Sequence, residues 1–404
     1  MATEADSPLG VLIDRQIAET GPVPLSLYMQ LCLTHPAHGY YHRPHPIGRA
    51  GDFITAPEVS QIFGEAIGLF VALLSRQLPK GHFDLVELGP GRGTLMVDLL
   101  RSLHRAAPDI RAGGPTLVEI SETMRSEQAR RLADHGPVWL GHIDDLPESG
   151  PPLVIIANEF FDALPVRQYQ KTETGWHERV VGLSGGQRAW GLNPTPLPES
   201  AMPEPLRHAA IDERFETRPA ADALMALLAE RIAGRGGVLV AIDYGYDRTQ
   251  SGDTVQAIAG HAYADPLARP GEADLTAHVD FEALAAAAVP LHVHGLMTQA
   301  SFLGQLGAAE RAEALARSNP DLTGTIAADL ARLTASDQMG QIFKVLCVSS
   351  QGISPYPFDI MSTSGQVAGT GHEGDRALAG SRPGSESARA PDRAGPERGS
   401  GDRQ

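Results

Sequence analysis

Cysteine is nearly missing from this chain: 404 residues hold two, Cys32 and Cys347. Each sits in an apolar run, Leu31–Leu33 and Leu346–Val348, where a thiol serves as a small core side chain. Without a C-x-x-C pair there is no zinc site to expect, and no metal is expected. Two reduced core thiols point to a reducing compartment, the cytoplasm, with a disulfide as the weaker alternative. Positive charge is short as well. Lys and Arg number 33 against 49 Asp and Glu, a net of −16. That surface repels phosphate backbones, which argues against nucleic acid as a partner. It leaves room for a cationic ligand or a basic protein. There is no stretch of about 18 uncharged apolar residues, so no membrane span is expected. The start, Met1–Asp6, carries two acids, and no arginine comes before Arg15. That pattern is expected of neither a signal peptide nor a transit peptide.

What is present is an alternation. The apolar runs Phe83–Leu88, Thr116–Ile120, Val138–Leu140, Leu153–Ala157 and Val238–Ile242 are separated by helical stretches at 93–106, 122–134 and 219–234. Strands alternating with helices predict an α/β fold, a doubly wound, mostly parallel sheet. Upstream, Val11–Ile17 and Leu25–Leu33 read as short helices, followed by a loop dense in Pro, His and Gly. Val59, Ile62, Phe63, Ala66, Ile67, Phe70, Leu73 and Leu74 fall at helical spacing. Thr55 is the expected cap of that helix, with Pro57 in its first turn and Glu58 three residues after the cap. Two stretches interrupt the alternation: a β-meander over 166–216, and a loop followed by helices over 246–336, including Phe281–Ala288 and Gln299–Leu306. Both are expected to be insertions around a ligand crevice, and Gln341–Ser349 a last strand. The expected division is an N-terminal helical and lid region at 1–80, a main domain at 81–350 and a tail at 356–404. From Gln366 onward Val367 and Leu378 are the only large aliphatics, too few to offset ordering entropy, so the tail is expected to be disordered.

The strongest local signal is Leu85–Thr94, in which Glu87 is followed by Gly89, Gly91 and Gly93. Glycines lack a Cβ, so a ligand can lie against the turn, and the following helix offers free N–H groups. A dinucleotide loop would need glycine at position 94 or 96, where Thr94 and Met96 stand, and no Gly-Lys-Ser/Thr follows for a P-loop. The E-x-G-x-G-x-G form instead resembles the first motif of Rossmann-like methyltransferases that use S-adenosylmethionine. In that resemblance Glu87 holds the methionine end of the cofactor. Glu119 ends the next strand, where a carboxylate can accept both ribose hydroxyls; the alternative is a solvated acid. Asp144 and Asp145 follow the third strand, and Asp145 is the candidate for the adenine amino group, with ordinary turn chemistry as the alternative.

The fourth strand runs into Asn158–Pro165. In open α/β sheets ligands bind beyond the carboxyl ends of the strands, so this segment should face the reacting group. Glu159 and Asp162 are the candidate pair to clamp a planar guanidinium and accept its proton, with Asn158 beside them. Phe160 and Phe161 could wall the cation. The alternative is that Asn158 and Asp162 cap a helix near Ala163, with the phenylalanines as core. Asp243 is a further candidate on that rim, Tyr244 and Tyr246 read as packing, and His278 is a substrate-side contact or base, or a structural loop histidine.

Gly51–Glu65 resembles a signature of the MidA-like family of arginine methyltransferases that assist respiratory complex I assembly. So do His35–Tyr41, Glu87–Thr94, Glu119–Ser121, Asn158–Pro165, Asp243–Tyr246 and Leu275–Phe281. These segments lie in order across roughly residues 20–350. The resemblance implies S-adenosylmethionine as cofactor. It implies symmetric dimethylation of an arginine on the quinone-module core subunit of complex I. A bacterial, cytoplasmic protein is expected. It also implies that the Gly51–Glu65 segment folds over the cofactor, with Thr55 and Pro57 as contacts. Two other readings stand beside it: a non-catalytic assembly chaperone that keeps the fold, and a methyltransferase for a small molecule.

Overall fold

The computed structural model describes residues 6–43, 54–79, 82–110, 113–203 and 206–359. The tail from 360 onward, and Gly51–Phe53 of the lid motif, lie outside the described residues. At the centre is an eight-stranded sheet. Seven of its strands are β1 (Asp84–Leu88), β2 (Thr116–Val118), β3 (Val138–Leu140), β4 (Leu153–Asn158), β5 (Gly237–Tyr246), β6 (His292–Thr298) and β7 (Phe343–Ser349). They lie in the order β6-β7-β5-β4-β1-β2-β3. β1 to β5 pair in parallel, whereas β7 pairs antiparallel with both its neighbours, β5 and β6. The eighth, Val279–Asp280, runs alongside the end of β5.

Side chains alternate between the two faces of a strand, and here both faces are apolar layers. Val154, Ile156, Val240 and Ile242 join one core with Leu99 and Phe70, from the helices Thr94–Ala106 and Gln61–Ser75. Their neighbours Ile155, Ala157, Leu239 and Ala241 join the other core with Leu228 and Ile232 of the helix Pro219–Arg235. All six residues of β4 are buried, which is why Leu153–Ala157 reads as an unbroken apolar run.

The meander Arg167–Thr172, Gly175–Ser184 and Gln187–Pro196 forms a second sheet with Arg214–Thr217. The N-terminal segment completes it: Val23 and Pro24 pair antiparallel with Val181 and Val180. Leu9, Ile13, Tyr28 and Met29 of the first two helices, Pro8–Thr20 and Leu25–Thr34, share a core with Val166, Val181, Leu275 and Ala277.

Two expectations are corrected, and one alternative is set aside. Residues 246–336 are not loop and helices alone. They hold a three-stranded sheet of Gln256–Ala259, Ala262–Ala264 and Asp274–Thr276, and also β6. Among the described residues β6 pairs with β7 alone, carries a bulge at Val293/Gly295 and buries only His294 and Met297, so it lacks the apolar alternation of a central strand. Thr55 makes no capping hydrogen bond. The long helix begins at Gln61, where Ser60 accepts from the Ile62 N–H, and Glu58 turns away to Arg92 and Thr94. Finally, no helix begins near Ala163: residues 161–164 form a turn that feeds the strand at Arg167.

Candidate active site at the carboxyl ends of the parallel strands

The glycine turn leaves β1 with the Gly89 N–H donating to the Val118 carbonyl at 3.0 Å. Gly89 has φ +58°, and a Cβ there would stand 2.8 Å from Cδ2 of Phe160. Gly93, at φ +78°, takes the left-handed position before the helix Thr94–Ala106. Gly89 and Gly91 line a cavity of about 900 Å³ that also meets Glu87, Glu119, Asn158 and Glu159. Gly93 is not among its described lining residues; its glycine character serves the backbone and the close packing of Gln128.

Glu87 is 3% exposed, and its Oε2 has no hydrogen-bond partner among the described residues. Burial, and then the neighbouring Glu119, push its carboxyl up to about 8. A buried carboxylate of that kind is costly until a cation or donor meets it. The amino group of S-adenosylmethionine is such a partner, and the Cβ-free turn beside it leaves space for the cofactor. Asn158 offers a second buried unpaired acceptor, Oδ1, on the same lining. The residues present therefore fit the cofactor.

Glu119 accepts from the Ser121 N–H at 2.7 Å and from Gln128 Nε2 at 3.2 Å. Burial still holds its pKa above the ordinary carboxylate value, against those hydrogen bonds and Arg125. Gln128 also donates to the Gly91 carbonyl at 2.6 Å and accepts from Trp139 Nε1 at 2.7 Å. It joins the glycine turn to Glu119, a role that a lone glutamine in a polar helix does not announce. Further along, Asp144 lines the cavity. Asp145, the expected adenine contact, instead accepts from the His142 N–H at 3.1 Å in a capping box and is absent from the described lining.

Glu159 follows β4 at φ +48°, a left-handed conformation that costs a residue with a Cβ about 1–3 kcal/mol. Its N–H donates to the Ile242 carbonyl at 2.8 Å. Asp243, fully buried at the end of β5, explains how the next residues are held. Its Oδ2 accepts from the N–H groups of Phe161 (3.0 Å) and Asp162 (3.1 Å). Burial, then Asp162 and Glu159, keep its pKa well above the carboxylate range. Asp162 itself is 5% exposed and lines neither cavity described here; its carbonyl accepts from the Ala277 N–H. Phe160 lines the cavity, and Phe161 is core.

The structure brings His278 to Glu159 by another route. A second cavity of about 280 Å³ is lined by Glu159, Tyr244, His278, Tyr263 and Phe343 among others. Glu159 thus lies on the walls of both cavities. Burial lowers the pKa of His278. Its backbone N–H donates to Thr254 Oγ1 at 3.0 Å; the Thr254 hydroxyl and backbone N–H both donate to buried Glu216. Arg218 pairs with Glu216 at 2.9 Å and donates to the Tyr246 hydroxyl, so Tyr246 is a packing residue.

Over the site lies the short helix Ala56–Val59, with Thr55, Pro57 and Glu58 on the large cavity's lining. The Ala56 N–H donates to Glu159 Oε1 at 2.8 Å. Glu58 takes Arg92 of the glycine turn at 3.1 Å and the Thr94 hydroxyl. Beyond these, Ser26, Gln30, Tyr41 and Leu224 line the cavity and were not read as site residues. Only Tyr41, in the His35–Tyr41 motif, carried a signal.

A family model described as "Putative S-adenosyl-L-methionine-dependent methyltransferase" matches residues 66–297. The mitochondrial protein arginine methyltransferase NDUFAF7 of Mus musculus is 37% identical over 299 residues, 67% of each chain. Its mitochondrial homolog in Drosophila melanogaster is 34% identical over 386 residues, 86% of each chain. A solved Burkholderia thailandensis protein bound to S-adenosyl-homocysteine has a TM-score of 0.76 at 29% identity, covering 86% of this chain and 92% of that one. The relatives' mitochondrial names stand against the expectation of a purely cytoplasmic protein, because reduced core thiols and acidic first residues do not specify a compartment. The chain belongs to the family of S-adenosyl-L-methionine-dependent methyltransferases, and S-adenosyl-L-methionine is its cofactor.

Proposed function

We propose that this methyltransferase acts on an arginine side chain of a protein, by symmetric dimethylation of a core subunit of complex I. The supporting observation is Glu159, a carboxylate in a left-handed turn on the walls of both the cofactor cavity and a smaller aromatic one. The relatives' name, protein arginine methyltransferase, supports the same reading. The sheet order supports a Rossmann-like, doubly wound class with insertions after the fourth and fifth strands. The cofactor domain is proposed to span 81–350, the lid region 1–80.

When bound, S-adenosylmethionine supplies a sulfonium methyl group for a nucleophilic nitrogen. Glu87 and Asn158 present acceptors to its methionine end, and Glu119 presents a carboxylate to its ribose. Glu159 holds the guanidinium and takes up the proton that the nitrogen gives up. Asp243 fixes the turn that aims Glu159, while Asp162 acts through that turn. The lid residues Thr55 and Pro57 exclude water, and Ala56 ties them to Glu159.

The test is transfer of labelled methyl groups to complex I subunits, followed by mass spectrometry of arginine. Glu159→Gln is expected to lower the rate by about 10²–10⁴ while leaving affinity for S-adenosylhomocysteine within about twofold. Wild-type transfer by that variant would remove Glu159 from the mechanism. Label found only on small molecules would remove the protein substrate.

A further inference from the structure

Of the two cavities described, the larger is of a size to hold the cofactor, since ligand pockets run roughly 300–1,000 Å³. The second cavity, about 280 Å³, falls below that range and suits a single side chain. Its lining is unusual in composition. Tyr244, 4% exposed, meets the His278 ring edge-on, with centroids 5.4 Å apart, and meets Phe343 at the same separation. Tyr263 comes from the strand Ala262–Ala264 at the edge of the three-stranded sheet and is 60% exposed. Glu159 supplies the carboxylate, and Arg332, a cation on the lining, has a partner of its own. Aromatic faces around a carboxylate suit a cation that is flat and weakly hydrated, with an apolar stem. A guanidinium on three methylenes fits that description. An ammonium, compact and strongly hydrated, fits it less well.

We propose that the smaller cavity is the acceptor chamber: one arginine side chain of a protein substrate enters past Tyr263, stacks among Tyr244, Phe343 and Tyr263, and presents its guanidinium to Glu159. The inference rests on the arginine reading above and adds the entry route and the residue that selects for it. Glu159 is the meeting point: cofactor from one side, acceptor from the other. Tyr263 acts in recognition rather than in the transfer itself.

The experiment uses the full chain, tritiated S-adenosylmethionine, and two probes, a glycine-flanked arginine peptide and the matching lysine peptide. Two variants address the chamber from its exposed hairpin. Ala262→Trp fills it, and Tyr263→Ala removes the aromatic face. Ala262 is exposed, so the tryptophan does not disturb a core. Tyr263→Ala is expected to lower kcat/KM for the arginine peptide roughly three- to thirtyfold, mainly through KM. Ala262→Trp is expected to lower it further. Affinity for S-adenosylhomocysteine should stay at the wild-type value in both, which excludes misfolding as the cause. Tyr263→Phe, which keeps the ring, is expected to restore most of the loss. Wild-type kcat/KM in both Ala262→Trp and Tyr263→Ala overturns the chamber and leaves arginine methylation standing. Equal labelling of the lysine peptide by the wild type overturns guanidinium selection. A wild type that labels neither peptide, nor any complex I subunit, overturns the arginine reading and the chamber with it.

Discussion

Cofactor affinity is expected to climb with pH, and Glu87 sets the slope. In the ligand-free chain its carboxyl sits at about 8, raised by burial and then by Glu119. Near pH 7 it is therefore mostly protonated. A cationic ligand end needs the ionised form, so binding must expel that proton. If the bound carboxylate returns to the ordinary range, the association constant rises about tenfold per pH unit, about 1.4 kcal/mol, and levels off above about 8. Allowing for the curvature near the midpoint, the gain from pH 6 to pH 8 is roughly fiftyfold. Titration calorimetry with S-adenosylhomocysteine, in buffers of different ionisation enthalpy, should record close to one proton released near pH 7. Glu87→Gln cannot ionise, so subtracting its profile removes the ligand's own titration. Parallel slopes in wild type and variant would refute the argument, as would a flat wild-type profile between pH 6 and 8. The same raised value bears on stability. Between the unperturbed 4.5 and about 8 the folded chain holds more protons at this site than the unfolded chain does. The ligand-free protein therefore loses stability as pH rises through that window, and keeps this contribution in full below it.

Two further outcomes are expected. Gly89→Ala puts a methyl group 2.8 Å from the Phe160 ring at φ +58°, which should cost about 1–3 kcal/mol and weaken cofactor binding; a melting temperature equal to wild type by scanning fluorimetry would contradict it. Thr254→Val strips buried Glu216 of one donor and His278 of its acceptor, so it should cost about 1–3 kcal/mol in urea unfolding, with Thr254→Ser recovering most of the loss; a valine variant as stable as wild type would show that the network contributes nothing.

How far the molecule could be read from its residues depended on burial. β4 and β5 were plain because both faces of a central parallel strand meet apolar layers, so nearly every position is hydrophobic. β6 was not, because an edge strand with a bulge and mostly exposed or half-buried positions resembles loop in composition. Val23 and Pro24 could not be read as a strand at all: two residues carry no periodicity, and their partners lie more than 150 positions away. At the site, the glycine turn with Glu87 pointed to S-adenosylmethionine, and the matched family agrees. Gln128 escaped notice because its importance lies in whom it touches. Asp144 and Asp145 differ only in which way a single turn points them, and residue type cannot resolve that. Thr55 and Glu58 had the spacing of a capping box, but a cation and a hydroxyl from the glycine turn and its helix compete for the glutamate. Asp243, a rim candidate by position, proved to hold backbone N–H groups, a task its neighbours in sequence do not reveal.

One side chain on the walls of two rooms gives their proposed tenants a route to interdependence. If an occupant of the smaller room changes the free energy of filling the larger through Glu159, the influence must run equally in reverse. The Ala56 N–H, bonded to that same carboxylate, brings the overlying helix into the exchange. On the proposed reading, a guest that drew Glu159 aside would also disturb the Ala56 contact, which would couple arrival and departure on the two sides.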